Sequence, residues 1–157
     1  MIVAFIGFGE AGLAIAESLG QSAVATLSLR AFDIKLADEN DGMAETMLAR
    51  MSDAGVTPCD TAQGAVSGVG IVISVVTADQ AANAAGSAAR HLAKDALYLD
   101  MNSCAPTTKQ MAASSVERAG ATYVDVAVMA PIQPRGHETP MLAAAANPDR
   151  VAATLAA

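Results

Sequence analysis

The chain has 157 residues, of which 53% are hydrophobic and only 3% are aromatic. This length fits one domain with a substantial core, and the apolar content excludes an intrinsically disordered chain. The formal net charge is −7, and the nine Lys and Arg residues form no cluster, which excludes a nucleic-acid-binding surface because such a surface needs a basic patch.

The apolar runs are too short to span a membrane. Two strong runs, Ile71–Val76 and Val124–Val128, have the length of strands, and no basic segment of a signal peptide precedes the first apolar run. Two cysteines, Cys59 and Cys104, do not make a disulfide framework. We therefore expect a cytoplasmic protein with two free thiols, no membrane association and no metal site, since no His, Cys, Asp and Glu spacing indicates one.

Strand-like and helix-like segments alternate along the first half of the chain. The predicted elements are a strand at Ile2–Ile6, a helix at Glu10–Leu19 ended by Gly20, a strand at Leu27–Phe32, a helix at Asp41–Ala54 ended by Gly55, a short strand at Val56–Cys59, and a short helix from a cap at Asp60 to Ser67.

The same alternation continues through the second half. It predicts a strand at Gly70–Val75, a helix from a cap at Asp79 to Leu92, a strand at Ala96–Asp100, a helix at Pro106–Arg118, a strand at Tyr123–Val128, a loop at Met129–Pro140, a weak strand at Met141–Ala145, and a helix that starts at Asn147 and Pro148. Continuous apolar strands indicate buried parallel pairing. The order predicts one α/β domain over residues 1–157, a doubly wound, mainly parallel sheet with helices on both faces.

The turn after the first strand carries the pattern G-x-G-x-x-G. Its members are Gly7, Phe8, Gly9, Glu10, Ala11 and Gly12. We expect Gly7 to make the tight turn, Gly9 to leave room for a pyrophosphate, and Gly12 to let the helix pack close to the sheet. The N–H groups around Gly9 would then face the phosphates. A strand before the pattern and a helix after it predict a dinucleotide-binding Rossmann domain, although a glycine turn without a ligand remains the alternative.

Asp33 follows the second predicted strand, about 20 residues after Gly12. A carboxylate at this position accepts hydrogen bonds from ribose hydroxyls and repels a 2′-phosphate, which favours NAD over NADP. The nearby Lys35 leaves NADP open as the less favoured cofactor. A role for Asp33 in capping the turn also stays open.

Four segments, IVAFIGFGEAG, ISVVTADQ, YLDMNSCAP and YVDVAVMAP, occur in this order along the whole chain. Together they resemble the NAD-binding domain of the 6-phosphogluconate dehydrogenase and β-hydroxyacid dehydrogenase superfamily, in particular its phosphogluconate dehydrogenase-like branch. The resemblance implies that Val76 and Thr77 pass by the cofactor. It also implies that Asn102 meets the nicotinamide carboxamide and that Ser103 contacts the substrate. For Asn102 and Ser103, hydrogen bonding to loop backbone is the alternative.

The chain departs from this resemblance in two places. Where the family commonly has Ser-Gly-Gly after the sixth strand, Met129–Pro131 offers no hydroxyl, and Pro131 has no N–H, which puts the usual hydroxy-acid substrate in doubt. The family's catalytic lysine lies on a later helix, and Lys35, Lys94 and Lys109 do not match it. We therefore expect the C-terminal helical catalytic domain of the family to be absent from this chain.

The sequence predicts the NAD(P)-binding domain of an oxidoreductase that transfers a hydride between a nicotinamide cofactor and a small hydroxy acid or related carbonyl substrate. Catalysis would require the absent segment, through which we also expect the protein to form a homo-oligomer. Two alternatives stay open. One is a non-catalytic NAD-binding sensor or scaffold, and the other is the cofactor domain of an imine reductase-like enzyme.

Overall fold

The computed structural model describes residues 1–22, 27–37 and 42–156. The strands are β1 (Ile2–Ile6), β2 (Ser28–Phe32), β3 (Val56–Pro58), β4 (Ile71–Ser74), β5 (Leu97–Asp100), β6 (Thr122–Val128) and β7 (Met141–Ala144). The helices are α1 (Glu10–Gln21), α2 (Met43–Asp53), α3 (Ala62–Val66), α4 (Ala81–Ala89), α5 (Pro106–Arg118) and α6 (Pro148–Leu155), with 3-10 turns at Ile34–Ala37 and Gly136–Glu138.

All seven strands form one sheet in the order β3-β2-β1-β4-β5-β6-β7. The pairs from β3 to β6 are parallel, and β7 runs antiparallel to β6 at the edge. This confirms the predicted doubly wound, mainly parallel fold. The chain leaves β1 toward one edge and returns at β4 to build toward the other, so the carboxyl ends of β1 and β4 form the crevice where such sheets bind ligands.

Helices cover both faces of the sheet. On one face, Ile15 of α1, Met51 of α2 and Val151 of α6 belong to the same core as Phe5 of β1. On the other face, the core around Tyr98 of β5 is built mostly of alanine and valine from α3, α4 and α5. Small side chains let these helices lie close to the sheet, so close approach takes the place of bulky side chains. No helix in the described ranges is long and apolar enough to cross a membrane.

Of the predicted helix caps, the one at Asp60 is wrong and the one at Asn147 is confirmed. α3 is capped by Thr61, whose Oγ1 accepts a hydrogen bond of 3.1 Å from the Gly64 N–H, and not by Asp60. α6 has the predicted cap, because Asn147 Oδ1 accepts a hydrogen bond of 3.2 Å from the Arg150 N–H. Asp60 and Thr61 are adjacent residues of good capping type, so the sequence alone did not separate them.

The predicted cap at Asp79 is also wrong. α4 begins at Ala81, after a turn in which the Gln80 N–H donates to the Thr77 carbonyl at 2.9 Å. The Asp79 carboxylate accepts a hydrogen bond from the Gln80 side chain instead. The turn therefore contains Gln80, which the sequence predicted to be part of the helix. The predicted start of the second helix at Asp41 lies outside the described residues.

The segment between β6 and β7 packs on α1 through the 3-10 turn at Gly136–Glu138. Ser18 Oγ on α1 lies 2.6 Å from His137 Nδ1. Gly136 has a φ of +57°, and a Cβ on it would overlap the Ser18 side chain and lie 2.8 Å from the Ala14 carbonyl oxygen. The segment can reach α1 because Gly136 has no side chain.

We predict that Gly136→Ala destabilises the fold more than Gly55→Ala does. Both glycines have positive φ, but a Cβ on Gly55 meets no described atom within 4 Å. The left-handed backbone should cost each variant about 1–2 kcal/mol, and overpacking should cost Gly136→Ala a further 1–3 kcal/mol or so. Urea unfolding of both variants measures the difference. Equal losses would show that the segment does not rest on α1.

Candidate functional site

The three glycines of the pattern, two between β1 and α1 and one in the first turn of α1, have different structural roles. Gly7 has a φ of +87°, and a Cβ on it would lie 2.5 Å from the Val75 carbonyl oxygen, so the position requires glycine. A Cβ on Gly12 would lie 3.1 Å from the Gly7 carbonyl oxygen. A Cβ on Gly9 would meet no described atom within 4 Å. Packing therefore requires glycine at position 7 and leaves little room for a side chain at position 12, whereas the space in front of Gly9 is open.

α1 begins behind that open space without a side-chain cap. Gly9 occupies the N-cap position, and its carbonyl accepts a hydrogen bond of 3.0 Å from the Leu13 N–H. The N–H groups of a first helical turn have no partner within the helix, and the aligned peptide dipoles favour an anion beside them. The turn thus offers donors next to a space that a side chain would fill.

Asp33 connects the end of β2 to the glycine turn. Its side chain is buried, with 8% exposed. Asp33 Oδ2 accepts a hydrogen bond of 2.7 Å from the Phe8 N–H, and Oδ1 accepts one of 2.9 Å from the Lys35 N–H. Each carboxylate oxygen has a second acceptor position. Asp33 therefore fixes the turn and keeps acceptor capacity on the side that faces the cleft.

A cleft of about 430 Å³ runs past this turn and brings most of the predicted cofactor residues together. Those that line it are Gly7, Gly9, Glu10, Ala11, Asp33, Val76 and Thr77. Phe8 lies beneath, fully buried and edge-on to Phe5 with ring centroids 5.9 Å apart. Gly12 is buried under the turn, and Asn102 does not line the cleft.

The other walls of the cleft suit the remaining parts of a dinucleotide. Ile34, with 66% of its surface exposed, and Lys35 line the side after β2. Asn83 and Ser87 of α4 line the opposite side. An apolar wall, a carboxylate and helix-terminal N–H groups are the features that bind a base, a ribose and a pyrophosphate. The residues present fit the predicted cofactor.

A second group of polar side chains surrounds Asp100 at the end of β5, where only 1% of Asp100 is exposed. Asp100 Oδ2 accepts a hydrogen bond of 2.7 Å from the Tyr123 hydroxyl. Lys109 Nζ lies 3.1 Å from Asp100 Oδ1, 2.9 Å from the Asp100 carbonyl oxygen and 2.9 Å from Asp125 Oδ1. A buried carboxylate requires such partners, because an isolated charge is strongly disfavoured away from water.

Asn102 belongs to this network. Its Nδ2 donates to Ser74 Oγ at 3.0 Å and to Asp100 Oδ1 at 2.7 Å, and its Oδ1 accepts from the Val76 N–H at 2.7 Å. Both amide hydrogens are used inside the protein. The alternative of hydrogen bonding to loop backbone is thus present for Asn102, whose side chain joins the turn after β4 to the turn after β5. Its predicted contact with a nicotinamide carboxamide stays a prediction.

Ser103 lines a second cleft, of about 410 Å³, beside Asn102 and Lys109. Cys104 also lines it, and burial raises the pKa of its thiol, with the Asp100 charge acting in the same direction. A raised pKa keeps the thiol protonated and disfavours a nucleophilic role. Ser103 is exposed at this cleft, so its predicted contact with a substrate stays a prediction.

The sequence interpretation missed Asp100, Tyr123 and Lys109 as members of the site. Lys109 does not match the family's catalytic lysine, so the resemblance assigns it no role. The available signal was an acidic residue that ends an apolar strand, followed by a lysine in the first turns of the next helix. A buried acid of this kind requires a partner. In the described part of the chain, no three His, Cys, Asp or Glu side chains are grouped so as to hold a metal ion.

Residues 2–134 match a family model described as the NAD binding domain of 6-phosphogluconate dehydrogenase. A conserved hypothetical protein from Sinorhizobium meliloti 1021 is 34% identical, with a TM-score of 0.89 over 99% of this chain and 50% of that one. The conserved protein MTH1747, described as structurally similar to 3-hydroxyacid dehydrogenases, is 28% identical, with a TM-score of 0.72 over 91% of this chain and 49% of that one.

An imine reductase from Myxococcus stipitatus in complex with NADP+ shares the fold at 20% identity, with a TM-score of 0.76 over 99% of this chain and 51% of that one. No curated protein matches the chain. The chain spans about half the length of these solved structures.

We predict that Tyr123→Phe destabilises the fold and that Tyr98→Phe does not. Tyr123 loses its hydrogen bond to a buried carboxylate, which should cost about 1–3 kcal/mol. The hydroxyl of Tyr98 is buried without a hydrogen bond of acceptable geometry. Burial raises the pKa of Tyr98, although the nearby Ser74 hydroxyl offsets part of that effect. Denaturant unfolding at neutral pH gives both values, and equal losses would contradict the assignment of Tyr123 as a partner of Asp100.

Proposed function

The chain belongs to the family of NAD-binding domains of 6-phosphogluconate dehydrogenase, and from this premise we propose that it holds the nicotinamide cofactor of a hydroxyacid dehydrogenase-like oxidoreductase. The observation that carries the proposal is the open space in front of Gly9, at the uncapped start of α1 and in the same cleft as Asp33. When bound there, the cofactor supplies hydride transfer at the nicotinamide ring.

We propose that the adenosine half of the cofactor lies on the β2 side of the cleft. Asp33 accepts hydrogen bonds from the ribose hydroxyls with the acceptor capacity that Phe8 and Lys35 leave free. Ile34 covers one face of the base. The pyrophosphate lies against Gly9 and the first turn of α1, where donors and helix dipole meet it.

Asp33 also underlies the proposed preference for NAD over NADP. Phe8 and Lys35 hold the carboxylate in place through their N–H groups, so it cannot swing away from a 2′-phosphate as a free side chain would. The exposed Lys35 side chain offsets part of the repulsion. The preference should therefore be a matter of degree.

The substrate is proposed to be a small molecule with a carbonyl or hydroxyl carbon at the reacting position. In the turn after β6, the Met129 N–H already donates to the Pro140 carbonyl at 3.0 Å, and Pro131 has no N–H. This turn offers little to a substrate carboxylate. It favours a substrate whose anionic group, if there is one, is held elsewhere.

The proton donor of the reaction is proposed to come from a second, helical domain of the kind that the family resemblance implies. The solved structures that match are about twice as long as this chain. In this proposal, the described domain binds and orients the cofactor, and the second domain completes the substrate site. The same domain would join two copies into a homo-oligomer.

We predict that Gly9→Val abolishes dinucleotide binding, with an affinity loss of at least about 100-fold, while the fold is retained. The branched side chain would occupy the proposed pyrophosphate space. Gly9 has a φ of −73° and a ψ of −160°, which valine tolerates. Isothermal titration with NADH measures the effect.

The matched control is Gly70→Val. Gly70 is exposed before β4, and a Cβ on it would also meet no described atom within 4 Å. This variant should bind NADH as the unmodified protein does. Unchanged NADH affinity in a folded Gly9→Val variant would refute the assignment of the glycine turn.

We predict that the protein binds NADH about tenfold more tightly than NADPH, because a charge-assisted hydrogen bond to the 2′-hydroxyl contributes about 1.5–3 kcal/mol and exposure weakens the repulsion. Asp33→Asn should lose most of this preference while it keeps an acceptor for the Phe8 N–H. Asp149→Asn removes the same charge from exposed surface on α6 and should change neither affinity. NADPH affinity equal to or above that of NADH in the unmodified protein would place Asp33 away from the ribose.

A further inference from the structure

Lys109 is mostly buried, with 12% of its side chain exposed, although lysine is seldom buried without a role. It lies in the first turns of α5, and its ammonium reaches back to the end of β5. Its three hydrogens meet three oxygens, two of Asp100 and one of Asp125. Lys109 has no donor left for a ligand, so any functional effect must act through Asp100 or Asp125.

Lys109 is the charged partner of the buried Asp100. In the described part of the chain, Lys109 is the only cation within salt-bridge distance of Asp100. The other donors to the carboxylate are neutral: the Tyr123 hydroxyl and two N–H groups of Asn102. Without the ammonium, the buried carboxylate would lose its charged partner, and a buried charge left unpaired is strongly disfavoured, so the side chain would shift or draw in water.

The position of Asn102 depends on its hydrogen bonds to Asp100. Asp100 Oδ1 accepts from both the backbone N–H and the side-chain Nδ2 of Asn102, at 3.0 and 2.7 Å. These two bonds set which way the Asn102 amide faces. The amide oxygen then accepts the Val76 N–H, and Val76 lines the cofactor cleft. The turns after β4 and β5 are joined through this one side chain.

We propose that Lys109 is a positioning residue for the nicotinamide half of the cofactor and acts through Asp100 and Asn102. The inference rests on the proposed function. The adenosine half would depend on Asp33 after β2, whereas Lys109 acts after β5, and β1 and β4 lie between these strands. Loss of Lys109 should therefore weaken contacts to one end of the cofactor and spare the other.

The test compares two ligands, NADH and ADP-ribose, by calorimetric titration on the unmodified protein and on Lys109→Met. ADP-ribose contains the adenosine and pyrophosphate but lacks the nicotinamide. Lys109→Met should weaken NADH binding about tenfold, in the range of network effects, and leave ADP-ribose binding within about twofold. The methionine fills the space of the lysine stem and removes only the charged head.

The control is Lys94→Met, the same change at an exposed position before β5. It should change neither affinity. Lys109→Arg keeps the charge and should recover most of the NADH affinity. If Lys109→Met does not fold, Lys109→Gln takes its place, because it keeps an N–H donor near Asp100.

Each outcome separates the inference from the proposed function. Equal weakening of NADH and ADP-ribose would show that Lys109 only supports the fold, and unchanged NADH affinity would show that it positions nothing; both overturn the inference and leave the proposed function standing. An unmodified protein that binds neither ligand overturns the proposed function and the inference together.

Discussion

The structure depends on the close approach of two turns, one after β1 and one after β4. Gly7 fits against the Val75 carbonyl oxygen only because it has no side chain and can adopt positive φ. This contact fixes where α1 starts, and the start of α1 fixes where its unpaired N–H groups point. The shape of the crevice and the direction of these N–H groups follow from it.

The two sides of the crevice are fixed by different means. On the β2 side, Asp33 holds the turn by accepting a hydrogen bond from the Phe8 N–H. The turns also pack closely there because Gly7 has no side chain. On the β5 side, Asp100 and Asn102 hold the turns through a buried hydrogen-bond network with one ion pair. Close packing around a glycine does not depend on charge, whereas a buried hydrogen-bond network depends on every member being satisfied. The geometry of the β5 side is therefore sensitive to the loss of any one member of its network.

Local features of the chain were predictable, and long-range pairings were not. The strands, the glycine turn and the Asn147 cap are read from neighbouring residues, so the sequence predicted the fold, and most of the predicted cofactor residues line the cleft. The sequence did not distinguish two adjacent residues that could each cap a helix, as with Asp60 and Thr61, because only one residue occupies the N-cap position. The partners of Asp100 are Asn102 in the next turn, Lys109 on α5 and Tyr123 on β6, of which Tyr123 is the one far along the chain. The acid that ends β5 and the lysine early in α5 are a local signal for the ion pair, but that signal does not indicate that Tyr123 joins it.

The alanines of α4 have a consequence for which substitutions this fold can accept. Ala81, Ala85 and Ala88 are fully buried, so glycine is the one smaller replacement for each, and a larger side chain would overpack the core. Substitution at these positions is therefore limited both toward smaller and toward larger side chains, whereas a buried leucine or methionine can be replaced by another apolar side chain of similar volume. Among homologous chains, we expect α4 to vary on its solvent side and to stay nearly constant where it meets the sheet.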